Sequence, residues 1–230
     1  MTDHKLEAAK AALKLIKPNQ TIGLGAGTTI AHLVNLLAAD SELSGTLSFT
    51  SSSFKTTVLL AGHGLNVKSP GLVNSLDIYF DGCDQFDIQL NALKCGGGIH
   101  TTEKILASMA REFIIIGDNS KFVPELDTTY PLVIEVIPAA LQVVIKRFTN
   151  DFADININLR TGTQKDGAVM SDNGNMLLDV HFKQLPALSQ LNTHIKMLPG
   201  VVEHSLFYQM ASKAIIAGEE GINIVEPVRR

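Results

Sequence analysis

Cysteine is scarce in this chain. Its 230 residues include 2, Cys83 and Cys95, and neither belongs to a Cys-x-x-Cys pair. Neither a disulfide framework nor a structural zinc site is expected. Positive charge is not in excess either. A net charge of −4 and a pI of about 6.0 argue against a basic nucleic-acid-binding face. No apolar run approaches the roughly 18 residues that a bilayer-spanning helix needs. The 7 histidines show no metal-ligand spacing, so no metal is expected. Repeats, long linkers and low-complexity segments are lacking. The start, Met1-Thr2-Asp3-His4-Lys5, leads into a charged and apolar helical pattern rather than a signal peptide, which together with the cysteine usage reads as cytoplasmic.

Apolar residues, in contrast, are plentiful. The chain is 45% hydrophobic and 18% charged, enough for a sizeable core in one large or two small domains. Leu6, Ala9, Leu13 and Ile16 share one helical face, and Pro18 ends that helix. Residues 21–25 read as a short buried strand, Ala26-Gly27-Thr28-Thr29 as a turn, and residues 30–37 as a helix. Strand, glycine turn and helix start make an anion site, because the first N–H groups of the helix lack partners and its dipole favours negative charge. Thr28 and Thr29 either add hydroxyl donors there or simply cap the helix. The third glycine of a dinucleotide fingerprint is replaced by Ile30, and the Gly-Lys-Thr ending of a P-loop is missing. A single phosphate fits the turn better than a nucleotide.

Residues 46–50 and 76–80 read as strands, with a helix over 54–62 between them. The strand 113–116 leads to Asp118. Gly25, Asp81 and Asp118 thus fall at C-terminal strand ends, where open α/β sheets hold ligands. Beyond residue 126 the pattern changes. Residues 132–137 read as a strand, and Pro138 opens a helix with Leu141, Val144, Ile145 and Phe148 on one face. Ile155, Ile157 and Leu159 alternate with polar residues, as in a half-buried strand. Asn173-Gly174 marks a hairpin turn flanked by Val169-Met170 and by residues 176–180. Residues 186–198 read as a helix, and Val201 starts another strand. The order β-α-β-β-α-β is ferredoxin-like. A last hairpin over 214–225 rejoins the first unit. The expected fold is α/β: a Rossmann-like open-sheet domain, residues 1–126 and 204–230, plus a smaller ferredoxin-like α+β domain, residues 127–203.

The chemistry-bearing residues concentrate between positions 81 and 104. Asp81-Gly82-Cys83-Asp84-Gln85 follows a strand, Lys94-Cys95-Gly96-Gly97-Gly98 comes next, and Glu103 stands where a helix should begin. Taken singly, each has a plain structural reading: turn residues for Asp81 and Asp84, a first-turn acid for Glu103, a surface loop for the glycines. Together they need no common structural reason. Acids, a cation and a permissive backbone point to proton transfer on a small polar substrate.

This stretch resembles ribose-5-phosphate isomerase of type A, a family with an Asp-Gly-Ala-Asp-Glu motif and a Lys-Gly-Gly-Gly…Glu-Lys motif at similar spacing. The match is specific at Lys94, Gly96, Gly97, Glu103 and Lys104. It extends over nearly the whole chain, including the turn Ser171-Asp172-Asn173-Gly174-Asn175. Cys83 stands where the family has Ala, Gln85 where it has Glu, Cys95 where it has Gly, and Phe54 in a region where Asp is frequent. Ile99 and His100 also depart from the pattern.

The resemblance implies an aldose–ketose isomerase that interconverts D-ribose 5-phosphate and D-ribulose 5-phosphate through an enediol, in the non-oxidative pentose phosphate pathway and without a cofactor. Glu103 would be the base and Lys94 would stabilise charge on the enediolate. Asp81 and Asp84 would hold sugar hydroxyls and shuttle protons. Lys5, Ala26, Gly27, Thr28, Thr29, Gly82, Cys83, Cys95, Gly96, Gly97 and Lys121 would bind substrate, the lysines having solvated surface roles as the plainer alternative. For Glu103, burial has to prevail over the helix dipole if its pKa is to suit a base. The expected partner is a pentose 5-phosphate, not a nucleic acid or a membrane, and the expected assembly a homodimer or homotetramer. A non-catalytic sugar-phosphate sensor of the same fold is the alternative, for which Cys95, Gln85, Phe54 and Ala26 leave room. Retention of Lys94, Asp81, Asp84 and Glu103 weighs against it. A coenzyme A transferase-like enzyme with a glutamate nucleophile is disfavoured by the single-phosphate turn. His100, beside the base, reads as packing.

Overall fold

Helices and strands alternate along the first half of the chain, and the strands assemble into a parallel sheet. A computed structural model describes residues 3–163 and 166–227. Helix α1 (His4–Leu13) is capped by Asp3, whose Oδ1 accepts the N–H groups of Lys5 and Leu6. Strand β1 (Thr21–Leu24), helix α2 (Thr28–Ala39), the single turn α3 (Ser41–Ser44), strand β2 (Ser48–Ser51), helix α4 (Phe54–Gly62) and strand β3 (Leu76–Asp81) follow. Two short strands, β4 (Gln85–Phe86) and β5 (Ala92–Leu93), precede helix α5 (His100–Met109), which runs directly into strand β6 (Ala110–Asp118). Next come β7 (Leu132–Val136), α6 (Leu141–Asp151), β8 (Ile155–Leu159), β9 (Met176–Phe182), α7 (Leu188–Lys196) and β10 (Val201–His204). The chain closes with β11 (Leu206–Phe207), β12 (Lys213–Gly218) and β13 (Gly221–Val225).

The main sheet has the order β13-β12-β6-β3-β1-β2. All neighbours pair in parallel except β12 and β13, the antiparallel hairpin expected from the tail. Its central strands are apolar on both faces, as a sheet covered on both sides requires. Alternation decides which core each residue joins. Ile22, Leu24, Phe80 and Ile114 meet α1 and α2, whereas Tyr79, Phe113 and Ile115 meet Leu106 of α5 and Phe207. A second sheet, β10-β7-β9-β8, is antiparallel and follows the order β-α-β-β-α-β. Val144 and Phe148 of α6 and Leu191 and Ile195 of α7 pack in its core, which also takes in Leu93, Cys95 and Leu206.

Three features differ from the sequence reading. Val169-Met170 forms no strand; Met170 makes one bridge to Met176, and the partner of β9 is β8. Helix α5 starts at His100, so Glu103 lies inside its first turn. A third sheet, β11-β5-β4, joins the two larger ones, and its two-residue strands are too short to show a period.

Candidate active site

Strands β1, β3 and β6 end side by side, and the segments leaving them enclose a crevice of about 250 Å³. Asp81 ends β3 and is 1% exposed. Its Oδ1 accepts the N–H groups of Gly82 at 2.8 Å and Ala26 at 3.1 Å. Its Oδ2 accepts the Tyr79 hydroxyl at 2.5 Å and lies 2.9 Å from Lys94 Nζ. The carboxylate thus ties the ends of two strands together. It also explains Gly25, where a Cβ would fall 1.8 Å from Asp81 Oδ1. Burial pushes the Tyr79 phenol well up, and the Asp81 charge adds to the effect, so Tyr79 stays a donor.

Lys94 is 7% exposed. Its Nζ also donates to the Gly82 carbonyl at 2.5 Å and lies 3.3 Å from Glu103 Oε1. Burial works to lower its pKa, but the Asp81 and Glu103 carboxylates outweigh burial and keep it charged. Glu103, 5% exposed, is pushed up to about 8. Burial is the main cause; Lys94 opposes it and Asp81 reinforces it. The helix start does not prevail. Asp84, half-buried, accepts the Cys95 N–H on Oδ2 at 2.6 Å, and its Oδ1 accepts no hydrogen bond from the described residues.

The opposite wall is the turn into α2. Gly27 is the N-cap with φ 101°, and no side chain caps the helix. Thr28 and Thr29 therefore do not act as caps, and the first N–H groups of α2 stay unpartnered within the helix. Lys5 of α1 and Lys121 border the same space. Asp118 borders it too; against burial, hydrogen bonds from Ser120 and the nearby Lys121 and Lys5 hold its carboxyl below the usual range.

The crevice is lined by Lys5, Ala26, Gly27, Thr28, Thr29, Asp81, Gly82, Cys83, Asp84, Lys94, Gly96, Gly97, Glu103 and Lys121, together with Gly98, Ile116, Gly117 and Asp118. Cys95 is the exception among the expected residues. Its side chain is buried in the core of the second sheet, Sγ 4.0 Å from Ser205 Oγ. Backbone alternation turns Lys94 into the crevice and Cys95 away from it. Burial pushes both thiols up to about 12. Gln85 is also directed elsewhere: its amide exchanges hydrogen bonds with Asp127, at 2.8 Å to Oδ1 and 3.0 Å from the Asp127 N–H. Phe54 is 77% exposed at the start of α4 and does not line the crevice. His100 is buried in α5, with burial, then Lys104, lowering it to about 4.

Among the described residues, no group of three or more His, Cys, Asp or Glu is placed to hold a metal ion, and no helix is long and apolar enough to cross a membrane. Asp118 had a sequence signal in its strand-end position. Tyr79, which supports Asp81, had none beyond its strand.

An open α/β sheet carries a buried carboxylate–lysine cluster at its strand ends, facing an uncapped helix start, an arrangement chemically suited to an enzyme that moves a proton on an anionic substrate. The family model of ribose 5-phosphate isomerase A (phosphoriboisomerase A) matches residues 48–221. Ribose-5-phosphate isomerase A of Thermosynechococcus vestitus is 37% identical over 218 residues, spanning 94% of this chain and 91% of the relative. The solved ribose 5-phosphate isomerase A of Methanocaldococcus jannaschii has a TM-score of 0.90 at 34% identity, over 97% of this chain and 98% of that one. A D-ribose-5-phosphate isomerase solved in complex with phospho-erythronic acid has a TM-score of 0.90 at 33% identity, over 97% of each chain. The chain belongs to the ribose 5-phosphate isomerase A family, and it is an isomerase.

Proposed function

We propose that this chain interconverts D-ribose 5-phosphate and D-ribulose 5-phosphate, with Glu103 carrying one proton between C2 and C1 through an enediolate. The observation that carries the proposal is the buried contact of Glu103, Lys94 and Asp81 in one crevice with the uncapped start of α2. The phosphate sits on the N–H groups of Thr28 and Thr29, between Lys5 and Lys121. That tether leaves the carbonyl end of the open-chain sugar near Glu103. The ionised carboxylate takes the C2 proton, the electrons move to the C1 oxygen, and Lys94 faces the charge that develops there. The same carboxylate returns the proton to C1 while the O2 hydroxyl proton passes to the C1 oxygen, leaving a ketone at C2 and a hydroxyl at C1. Electrons stay within C1 and C2, so the step draws on no cofactor. A pKa near 8 lets one group both accept and return the proton at neutral pH.

The two aspartates divide the remaining work. Asp81, with both oxygens engaged, orients Lys94. Asp84 keeps Oδ1 for a sugar hydroxyl and for ring opening. Cys83 and Gly82 close the wall beside them, and Cys95 contributes only backbone. Residues 127–203 act as a ferredoxin-like unit against the open-sheet remainder. Free Cys83 and Cys95 agree with a cytoplasmic setting. Exposed Ile222 and Ile224 on the edge strand β13 agree with a homodimer or homotetramer.

The test is to mix the protein with ribose 5-phosphate, without added metal or nucleotide, and follow ribulose 5-phosphate. Turnover at an ordinary enzymatic rate supports the reading. Tight binding of ribose 5-phosphate with no ketose formed would replace it with the sensor alternative.

A further inference from the structure

We infer that Arg160, reaching in from the second sheet, is a positioning residue of this site: it fixes two successive peptides of the glycine run so that the N–H groups of Gly96 and Gly97 face the substrate. The inference rests on the isomerase reading and deepens it.

Arg160 follows β8 and is paired with Asp179 of β9, Nε lying 3.1 Å from each carboxylate oxygen and Nη2 2.5 Å from Oδ1. The rest of its fork goes to backbone: Nη1 donates to the Gly96 carbonyl at 2.8 Å and Nη2 to the Cys95 carbonyl at 2.9 Å. A peptide is planar and trans, so its N–H points opposite to its C=O. Holding the Cys95 and Gly96 carbonyls therefore aims the N–H groups of Gly96 and Gly97 away from Arg160. Gly96 and Gly97 line the crevice and are exposed, whereas Arg160 does not line it. Among the described residues neither N–H has a hydrogen-bond partner, although the preceding N–H, that of Cys95, is taken by Asp84. Two adjacent amides are thus directed into the crevice within three residues of Lys94.

A run of three glycines has little orientation of its own, because glycine populates more backbone conformations than any other residue. The tether supplies that orientation. Gly98 seats the run on the second sheet: its φ is +70°, and a Cβ there would lie 2.5 Å from Leu177 Cδ1. Two carbonyls and a carboxylate at fixed angles suit the rigid planar fork of arginine and not the single charged point of lysine. Aimed amides next to Lys94 are placed to hold an oxygen at the reacting end of the sugar, where preorganised donors act most strongly on the transition state.

The experiment compares wild type with Arg160→Lys and Arg160→Met for turnover of ribose 5-phosphate, thermal midpoint, and binding of inorganic phosphate and of phospho-erythronic acid. It also compares Arg160→Ala with and without added guanidinium. Each substitution is expected to lower kcat by about 100-fold, the scale of losing an oxyanion donor. Inorganic phosphate should bind as in wild type, phospho-erythronic acid should bind more weakly, and guanidinium should restore part of the Arg160→Ala turnover. Two results overturn the inference: Arg160→Lys or Arg160→Met at wild-type kcat/KM, or activity lost only together with phosphate binding and the folded state. If wild type itself forms no ribulose 5-phosphate, the isomerase reading fails and takes the inference with it. An active wild type with insensitive variants removes the inference alone.

Discussion

Glu103 and Glu135 are both buried carboxylates at the first turn of α5, one carried by it and the other bonded to it from β7, yet their surroundings drive them in opposite directions. Glu103 belongs to the first turn of α5, and Thr101, in the same turn, donates its hydroxyl to Glu135 on β7. Glu103 is 5% exposed and Glu135 0%. Burial raises Glu103 to about 8. Burial also works to raise Glu135, but its donors hold the carboxyl below the usual range. Besides Thr101, they are Ser171 Oγ at 2.7 Å, Asn175 Nδ2 at 2.7 Å and Asn173 Nδ2 at 3.2 Å. Glu103 has Lys94 at 3.3 Å, with the competing Asp81 charge beside it. Exposure does not separate the two. Glu135 has fixed neutral donors and Glu103 has none among the described residues: a saturated carboxylate is locked as an anion, and an unsaturated one keeps a usable proton. One holds the turn in place, and the other is free to react.

The largest effect that would sharpen this contrast belongs to Glu103→Gln. Turnover should fall by about 100-fold or more, the scale of a lost general base. Substrate binding and the folded state should survive. Near-normal turnover in this variant would remove Glu103 from the chemistry and erase the contrast. Glu135→Leu should do the reverse. It strands the buried hydroxyls of Thr101 and Ser171, at about 1–3 kcal/mol for each buried group left unpaired, and takes the acceptor from the more accessible Asn173 and Asn175. A loss of about 2 kcal/mol or more of unfolding free energy is expected in denaturant titrations. The milder Glu135→Gln should keep kcat within about tenfold of wild type, since no proton moves through this group. Loss of kcat in Glu135→Gln at an unchanged thermal midpoint would show that Glu135 takes part in the reaction.

Much of this arrangement was legible along the chain because it is local. Helix α4 spans the residues whose pattern reads as helix, and Asp81, Lys94 and Glu103 are recognisable where a strand end, a glycine run and a helix start succeed one another. The supports were not legible, because their partners are distant in sequence. Glu135 collects donors from 34 residues before it to 40 after it. Arg160 meets carbonyls 64 and 65 residues upstream. No period or motif reports such contacts. Cys95 shows the complementary error. Its place between Lys94 and Gly96 suggests the crevice, whereas an extended backbone sends alternate side chains to opposite sides, and Cys95 joins the second core. Lys104, next to the base and part of the same motif, likewise turns away to Glu203 at 2.9 Å and the His204 carbonyl at 2.6 Å. The state of Glu103 was open for another reason. The helix start and burial pull in opposite directions, and burial is a property of the folded molecule.

The effect that separates the two carboxylates most cleanly is the pH dependence of stability. Below pH 4.5 Glu103 is protonated both folded and unfolded, and its raised folded pKa contributes fully to stability. As pH rises from 4.5 towards about 8, the unfolded chain gives up this proton while the native protein keeps it, so native stability falls. Above about 8 both states are ionised and the loss is constant. Glu103→Gln has no such proton, so its thermal midpoint should gain on wild type through that window and then run parallel to it. Glu135 has the opposite sign. Its folded pKa is depressed, so its contribution is present above the ordinary value of 4.5 and lost as pH falls through the folded value. The deficit of Glu135→Gln should therefore be larger at pH 7 than in strong acid. Thermal melts of both variants and wild type across this range provide the measurement. A Glu103→Gln difference that stays flat between pH 4.5 and 8 would mean that the Glu103 carboxylate is already ionised in the native state, and the physical distinction between the two groups would be lost.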